Sequence, residues 1–126
     1  MSKTGISLGD RGEELAADFL KSSGYKIIYR NYRTKLGEID IVAEDKGVVC
    51  FIEVKTRASG RFGLGKEAVS GAKQRQVARA AISFLKEKGI LNRQARFDVV
   101  SVDFSLAKIK LDLIKNAFEL NGGFIY

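Results

Sequence analysis

The sequence predicts an α/β domain, a mixed β-sheet with a helix on each face. Three observations predict it. Apolar residues recur at helical spacing in two segments, and alternate with polar ones in five others. The elements therefore run α-β-β-β-α-β-β. The strand–helix–strand step after the central hairpin is the connection parallel strands need, so the sheet is mixed and covered on both sides. At 126 residues the chain makes one domain, residues 1–126, with a core of its own.

"SLGDRGEELAADFLKSS" (7–23) reads as a helix, with Ser7 or Asp10 to cap it and Gly24 to stop it. Leu8, Gly12, Leu15, Ala16, Phe19 and Leu20 fall on one stripe. "YKIIYRNYR" (25–33) is a strand. Residues 37–45 and 48–57 form a hairpin turning at Lys46-Gly47, and "ASGRFGLG" (58–65) is a glycine-rich loop. A second helix covers residues 70–88, buries Val77, Ala80, Ala81, Phe84 and Leu85, and ends at Gly89. "ARFDVVSVDF" (95–104) and "KIKLDLIKN" (108–116) alternate as two more strands, and "AFELNGGFIY" reads as an irregular, partly packed tail.

Composition excludes several chemistries. There is no histidine and one cysteine, Cys50. This removes Ser-His-Asp triads, His–Cys dyads and HExxH zinc sites, and leaves no set of thiolates for structural zinc within the chain. Acid–base or metal chemistry falls to carboxylates, lysine or tyrosine, and carboxylate oxygens favour hard ions such as Mg²⁺ or Mn²⁺. No apolar run reaches the roughly 20 residues of a membrane span, "MSKTGISLGD" lacks the apolar stretch of a signal peptide, and a lone cysteine gives no disulfide framework. A cytoplasmic protein without a membrane partner is expected. With 22 basic against 15 acidic residues the net charge is +7, a surface that attracts polyanions, nucleic acid first among them.

The hairpin carries the chemistry. With a two-residue turn at Lys46-Gly47, Asp40 faces Glu53 and Glu38 faces Lys55. Opposed residues share a face with their Cβ atoms roughly 4.5–5.5 Å apart. Glu38, Asp40 and Val42 then stand with Phe51, Glu53 and Lys55, while Ile39, Ile41, Ala43, Cys50, Ile52 and Val54 take the apolar face. Like charges directly opposed destabilise a sheet. Two carboxylates in that position are either exposed to water, with Glu38–Lys55 as a surface ion pair, or neutralised by a divalent ion between Asp40 and Glu53 with the Val54 carbonyl in reach. In the first helix Glu13 falls at the edge of the buried stripe and Glu14 points away. Gly9, Gly12 and Ala16, on Glu13's side, let the helix backbone approach the sheet. Glu13 is a third carboxylate for the site or an acid favoured by the helix macrodipole.

Five blocks in order, "GDRGEELAADFL", "NYRTKLGEIDIVAED", "FIEVKTR", "FG" and "RFDVVSV", resemble the motif string of the small bacterial YraN-like family, within the PD-(D/E)XK nuclease superfamily and its Holliday junction resolvase-like branch. The resemblance spans residues 9–118. It implies a restriction-endonuclease-like αβββαβ core and a Mg²⁺-dependent (or Mn²⁺-dependent) endonuclease acting on branched or structured DNA. Carried over, Asp40 and Glu53 match metal ligands, with Glu13 as the helix glutamate. Lys55 matches the lysine that positions or deprotonates water. The proline that precedes the aspartate elsewhere in the superfamily is Ile39 here. The alternative is a nucleic-acid-binding module that keeps the fold without cleaving.

Four cations are candidates for phosphate contact: Arg33 before the hairpin, Arg57 on the side of Lys55, Arg61 in the glycine-rich loop, and Lys73 on the first turn of the second helix. Each has an ordinary alternative, solvation for the arginines and snorkelling for Lys73. Phe62 stacks on a base or packs on the core. By analogy with resolvases, which cut symmetric junctions, a homodimer is expected.

Overall fold

The computed structural model describes residues 7–58 and 69–119. Its elements are α1 (Leu8–Ser22), β1 (Lys26–Thr34), β2 (Gly37–Asp45), β3 (Val48–Arg57), α2 (Gly71–Glu87), β4 (Ala95–Asp103) and β5 (Lys110–Phe118). The sheet order is β1-β2-β3-β4-β5, all neighbours antiparallel except β3 and β4, which α2 connects in parallel. The αβββαβ order expected from the sequence is the one built, in a five-stranded mixed sheet flanked by helices, with β5 as an added edge.

Local chemistry sets the boundaries. Ser7 caps α1 by accepting the Asp10 N–H at 3.0 Å, and Ser70 caps α2 by accepting the Lys73 N–H at 3.2 Å. Lys46 and Gly47 both take positive φ, 51° and 87°, as a two-residue type I′ turn requires. That turn fixes the hairpin register at Asp45–Val48, Ala43–Cys50 and Ile41–Ile52, as the two-residue reading predicts.

Two apolar layers hold the helices. On one side of the sheet α2 packs Val77, Ala81 and Phe84 over Val42, Phe51 and Phe97. On the other, α1 packs Ala16, Ala17 and Leu20 over Ile41, Cys50, Ile52 and Val100. Burial of these layers is the main force joining helix to sheet. Leu8, assigned to the buried stripe of α1, is exposed, and Ala17 is buried in addition to that stripe.

One face assignment is corrected. Ile39 was expected beside Ile41 and Ala43, but it packs with Val42 under α2. The cause lies on β1, where Asn31 takes a left-handed φ of 54° opposite Asp40. Asn tolerates that conformation better than most residues. Regular alternation is interrupted there, and the next pair, Tyr32 and Ile39, turns to the α2 side.

The same level of the sheet is where it forks. Pairing of β2 with β3 stops at Ile41–Ile52, so Asp40 and Glu53, expected as the next opposed pair, are not paired across a ladder: the two strands diverge before reaching them. Beyond that point β2 continues against β1 through Gly37, while β3 continues against β4 through Arg57. Among the described residues no helix is long and apolar enough to cross a membrane. β5 runs on to Phe118, so Ala117 and Phe118, expected in an irregular tail, are strand; the glycine-rich loop past residue 58, with Arg61 and Phe62, and the tail from residue 120 lie outside the described residues.

Candidate functional site

The fork gathers most of the residues singled out in the sequence. Asp40 stands on the β2 arm, and its Oδ2 accepts the Val54 N–H at 2.8 Å. A side chain thus takes a backbone donor of the β3 arm, and the two arms are tied without a ladder. Glu53 follows Ile52 and is only 3% exposed. Its Oε1 lies 3.5 Å from the Lys73 ammonium on the first turn of α2. Its Oε2 is buried with no hydrogen-bond partner among the described residues. Lys73 therefore points at the site rather than only along the surface.

Glu13 reaches the fork from α1, on the other side of the sheet. Its neighbour Gly12 makes this approach close, since a Cβ there would collide with the hydroxyl of Thr56 on β3. Glu13 is half-buried and Glu14 exposed, as helical phase predicts. Because Glu13 and the Glu53–Lys73 pair belong to opposite layers, Asp40 is the link between them. Among the described residues no three carboxylates lie close enough together to hold one ion.

The electrostatics follow from burial. Burial pushes the Glu53 carboxyl up to about 8, helped by the negative charge of Asp40 and opposed by Lys73 and Lys55. Asp40 is raised by burial, against its bond from Val54 and the field of Lys73. Glu13 is raised by burial and then by Asp40, with Arg30 opposing. Burial thus holds three acids above their ordinary range around one fork.

The remaining candidates divide. Lys55 acts on both Asp40 and Glu53. Glu38, expected opposite Lys55, pairs instead with Arg33 at 3.2 Å. Arg33 and Lys73 line one open hollow beside the β1–β2 turn, together with Lys35 and Gln76. Arg57 ends β3 on the same arm as Lys55, paired in register with Asp103. Arg61 lies outside the described residues. Sequence reasoning passed over Arg30. It opposes Glu13's charge, binds Glu14 at 3.5 Å, and leaves its Nε buried without a partner among the described residues. The available signal was its place across from Ile41 on the α1 side of β1, a cation where an apolar residue would pack.

A family model described as "Uncharacterised protein family UPF0102" matches residues 12–102. The chain belongs to that family. UPF0102 proteins of Geobacter metallireducens and Caldicellulosiruptor saccharolyticus are each 48% identical to it, over 120 and 113 residues. These matches cover 95% and 88% of this chain and 98% and 96% of theirs. The family that the motif string resembles is thus the one the chain belongs to. Among solved structures, Pyrococcus furiosus SfsA in complex with Ca²⁺ superposes with a TM-score of 0.40 at 11% identity, covering 89% of this chain and 63% of the length of that one.

Proposed function

We propose that the chain is a phosphodiester hydrolase of the PD-(D/E)XK type, acting on branched or structured DNA with Mg²⁺ or Mn²⁺ held at Asp40 and Glu53. The observation that carries this reading is the orphaned Oε2 of Glu53. A buried carboxylate oxygen with no donor is costly, and buried polar atoms nearly always find partners. Here Asp40 raises the cost further, and Lys73 meets only the other oxygen.

Two carboxylates and a carbonyl are the oxygen chemistry a hard divalent ion takes: Asp40 and Glu53 would supply carboxylate oxygens and Val54 a backbone carbonyl, with Glu13 on the α1 side adding its charge through Asp40 rather than a third ligand in place. Such an ion, when bound, lowers the pKa of water and neutralises phosphate charge. The chain's own residues do the rest. Asp40 and Glu53 would hold the ion at the fork. Lys55, next along the face of Glu53, orients the attacking water or takes its proton. Lys73, Arg33 and Arg57 hold phosphate oxygens and fix the strand, with Arg61 as a further candidate in the loop. Two copies would present two such sites to a symmetric junction, so the acting form is proposed to be a homodimer.

A second reading is favoured by one observation, the Lys73–Glu53 pair, in which the ammonium already occupies a cation's place. The chain would then bind nucleic acid through its basic surface without cutting it. Mn²⁺ titration followed by calorimetry separates the two. Wild type should bind with loss of affinity in Glu53→Ala, and cleavage of junction, flap or linear DNA should vanish in Asp40→Asn and Glu53→Ala. Salt-sensitive DNA binding indifferent to chelator and to Asp40→Asn would instead establish the binding module.

A further inference from the structure

The β1–β2 turn carries features that the hydrolytic site does not use. Its tip presents Leu36, 54% exposed, immediately after Lys35. Beside it opens a hollow of about 390 Å³ lined by Arg33, Lys35, Glu38, Lys73 and Gln76. Three cations face one acid, and that acid is already matched by Arg33. The hollow is therefore net positive, and it is continuous with the fork through Lys73, whose ammonium is the partner of Glu53.

The turn is also held rigidly. The Thr34 hydroxyl oxygen accepts the N–H groups of Leu36 and Gly37 at 2.9 and 3.1 Å, and the hydroxyl donates to the Gly37 carbonyl. Gly37 presses on α2 so closely that an added Cβ would stand 2.6 Å from the Gln76 carbonyl oxygen. A lone exposed leucine is ordinary on a protein surface. A leucine fixed at a braced tip, flanked by cations that suit phosphates, is a different object. Apolar side chains so presented enter base steps that are already weakly stacked, while neighbouring cations grip the backbone on either side.

The geometry points to the β1–β2 turn as the element that selects discontinuous DNA: Leu36 inserts at an interrupted base stack while Lys35, Arg33 and Lys73 hold the phosphates of the strand leading to the fork. This rests on the reading of the chain as acting on DNA, and it names the residue that makes branched DNA preferred over linear. An intact duplex offers no opening for Leu36, whereas the crossover of a junction does.

The test is equilibrium binding by the full chain in chelator, so that no cleavage intervenes. The probes are a fixed four-way junction with 2-aminopurine at the branch point and a linear duplex of the same sequence. Wild type should prefer the junction and brighten the 2-aminopurine. Leu36→Ala should lose about tenfold in junction affinity, the scale of one base contact, with linear binding within about twofold. Lys35→Ala should weaken both probes and lower the salt slope by about one. Leu36 is exposed, so the variant should melt as wild type does; equal melting guards the comparison. Equal affinity of wild type for the two probes, or a junction preference and brightening unchanged in Leu36→Ala, overturns the proposal. Cleavage lost in Glu53→Ala with a Leu36-dependent preference intact leaves it standing. Mn²⁺-dependent cutting without that preference removes this proposal alone and leaves the hydrolase.

Discussion

The two ends of the hairpin each bury charge, and they do so in opposite ways. At the turn end Asp98 is fully buried, yet it accepts from Tyr25 Oη at 3.0 Å, from Arg96 Nε at 3.0 Å and from the Asn116 N–H at 2.8 Å. Arg96 also reaches Asp45 at 2.8 Å, and Lys115 completes Asp45 at 3.3 Å. Two acids meet two cations, and none of their buried side-chain atoms lacks a partner. At the fork Asp40, Glu53 and Glu13 share the fields of Lys73, Lys55 and Arg30, and a carboxylate oxygen and a guanidinium nitrogen are left over. A satisfied network fixes a fold, while an unsatisfied one waits for a ligand.

The contrast can be broken most forcefully at the turn end. Arg96→Ala strands Asp98 and Asp45 and should lower unfolding free energy by about 3–5 kcal/mol, read by urea denaturation. A loss no larger than that of a surface substitution would mean that the network is decorative. At the fork, Gly12→Ala pushes α1 off Thr56 and should cost about 1–3 kcal/mol. It should also weaken Mn²⁺ binding, because Glu13 moves with the helix, while Asp98 and its partners are left alone.

The ends should also respond oppositely to pH. Glu53 keeps its proton to about 8 in the folded chain against an ordinary 4.5, so between those values the folded state binds more protons than the unfolded one. Metal-free stability from this group is greatest below the ordinary value and falls as pH rises through 8, with a slope approaching about 1.4 kcal/mol per pH unit. Glu53→Gln should flatten that fall. Asp45, held below its ordinary value chiefly by its hydrogen bond from Arg96, contributes stability above that value and loses it as pH drops through its folded one. Asp45→Asn should flatten the acid limb alone. The smallest effect is expected at Glu14, exposed and 3.5 Å from Arg30, where Glu14→Ala should change stability by under about 0.5 kcal/mol.

The fork was more legible in the sequence than the turn end. A two-residue turn dictates the hairpin register, helical phase separates Glu13 from Glu14, and a glycine beside Glu13 announces a close approach. Each of these is local. Asp45, Arg96, Asp98 and Lys115 come from three different strands and Tyr25 from the residue before β1, and each looks like an unremarkable member of its segment. Only the parallel placement of β4 beside β3 brings them together. The turn of Ile39 toward α2 was hidden for a similar reason, since it originates in Asn31 on another strand. Lys73 lay between the two cases: its helix was plain, but whether it snorkelled or faced the carboxylates depended on where α2 crosses the sheet.

The bond from Val54 to Asp40 has a consequence for how variants should be interpreted. An antiparallel pair zipped to its last residue leaves no aperture between its strands, and here a single carboxylate works as the spacer that stops the zipper. Removing it would free a backbone donor to seek the opposite strand, so the gap itself could close. An uncharged but hydrogen-bond-accepting replacement such as Asn keeps the gap open while removing the negative charge, which makes it the informative change at that position.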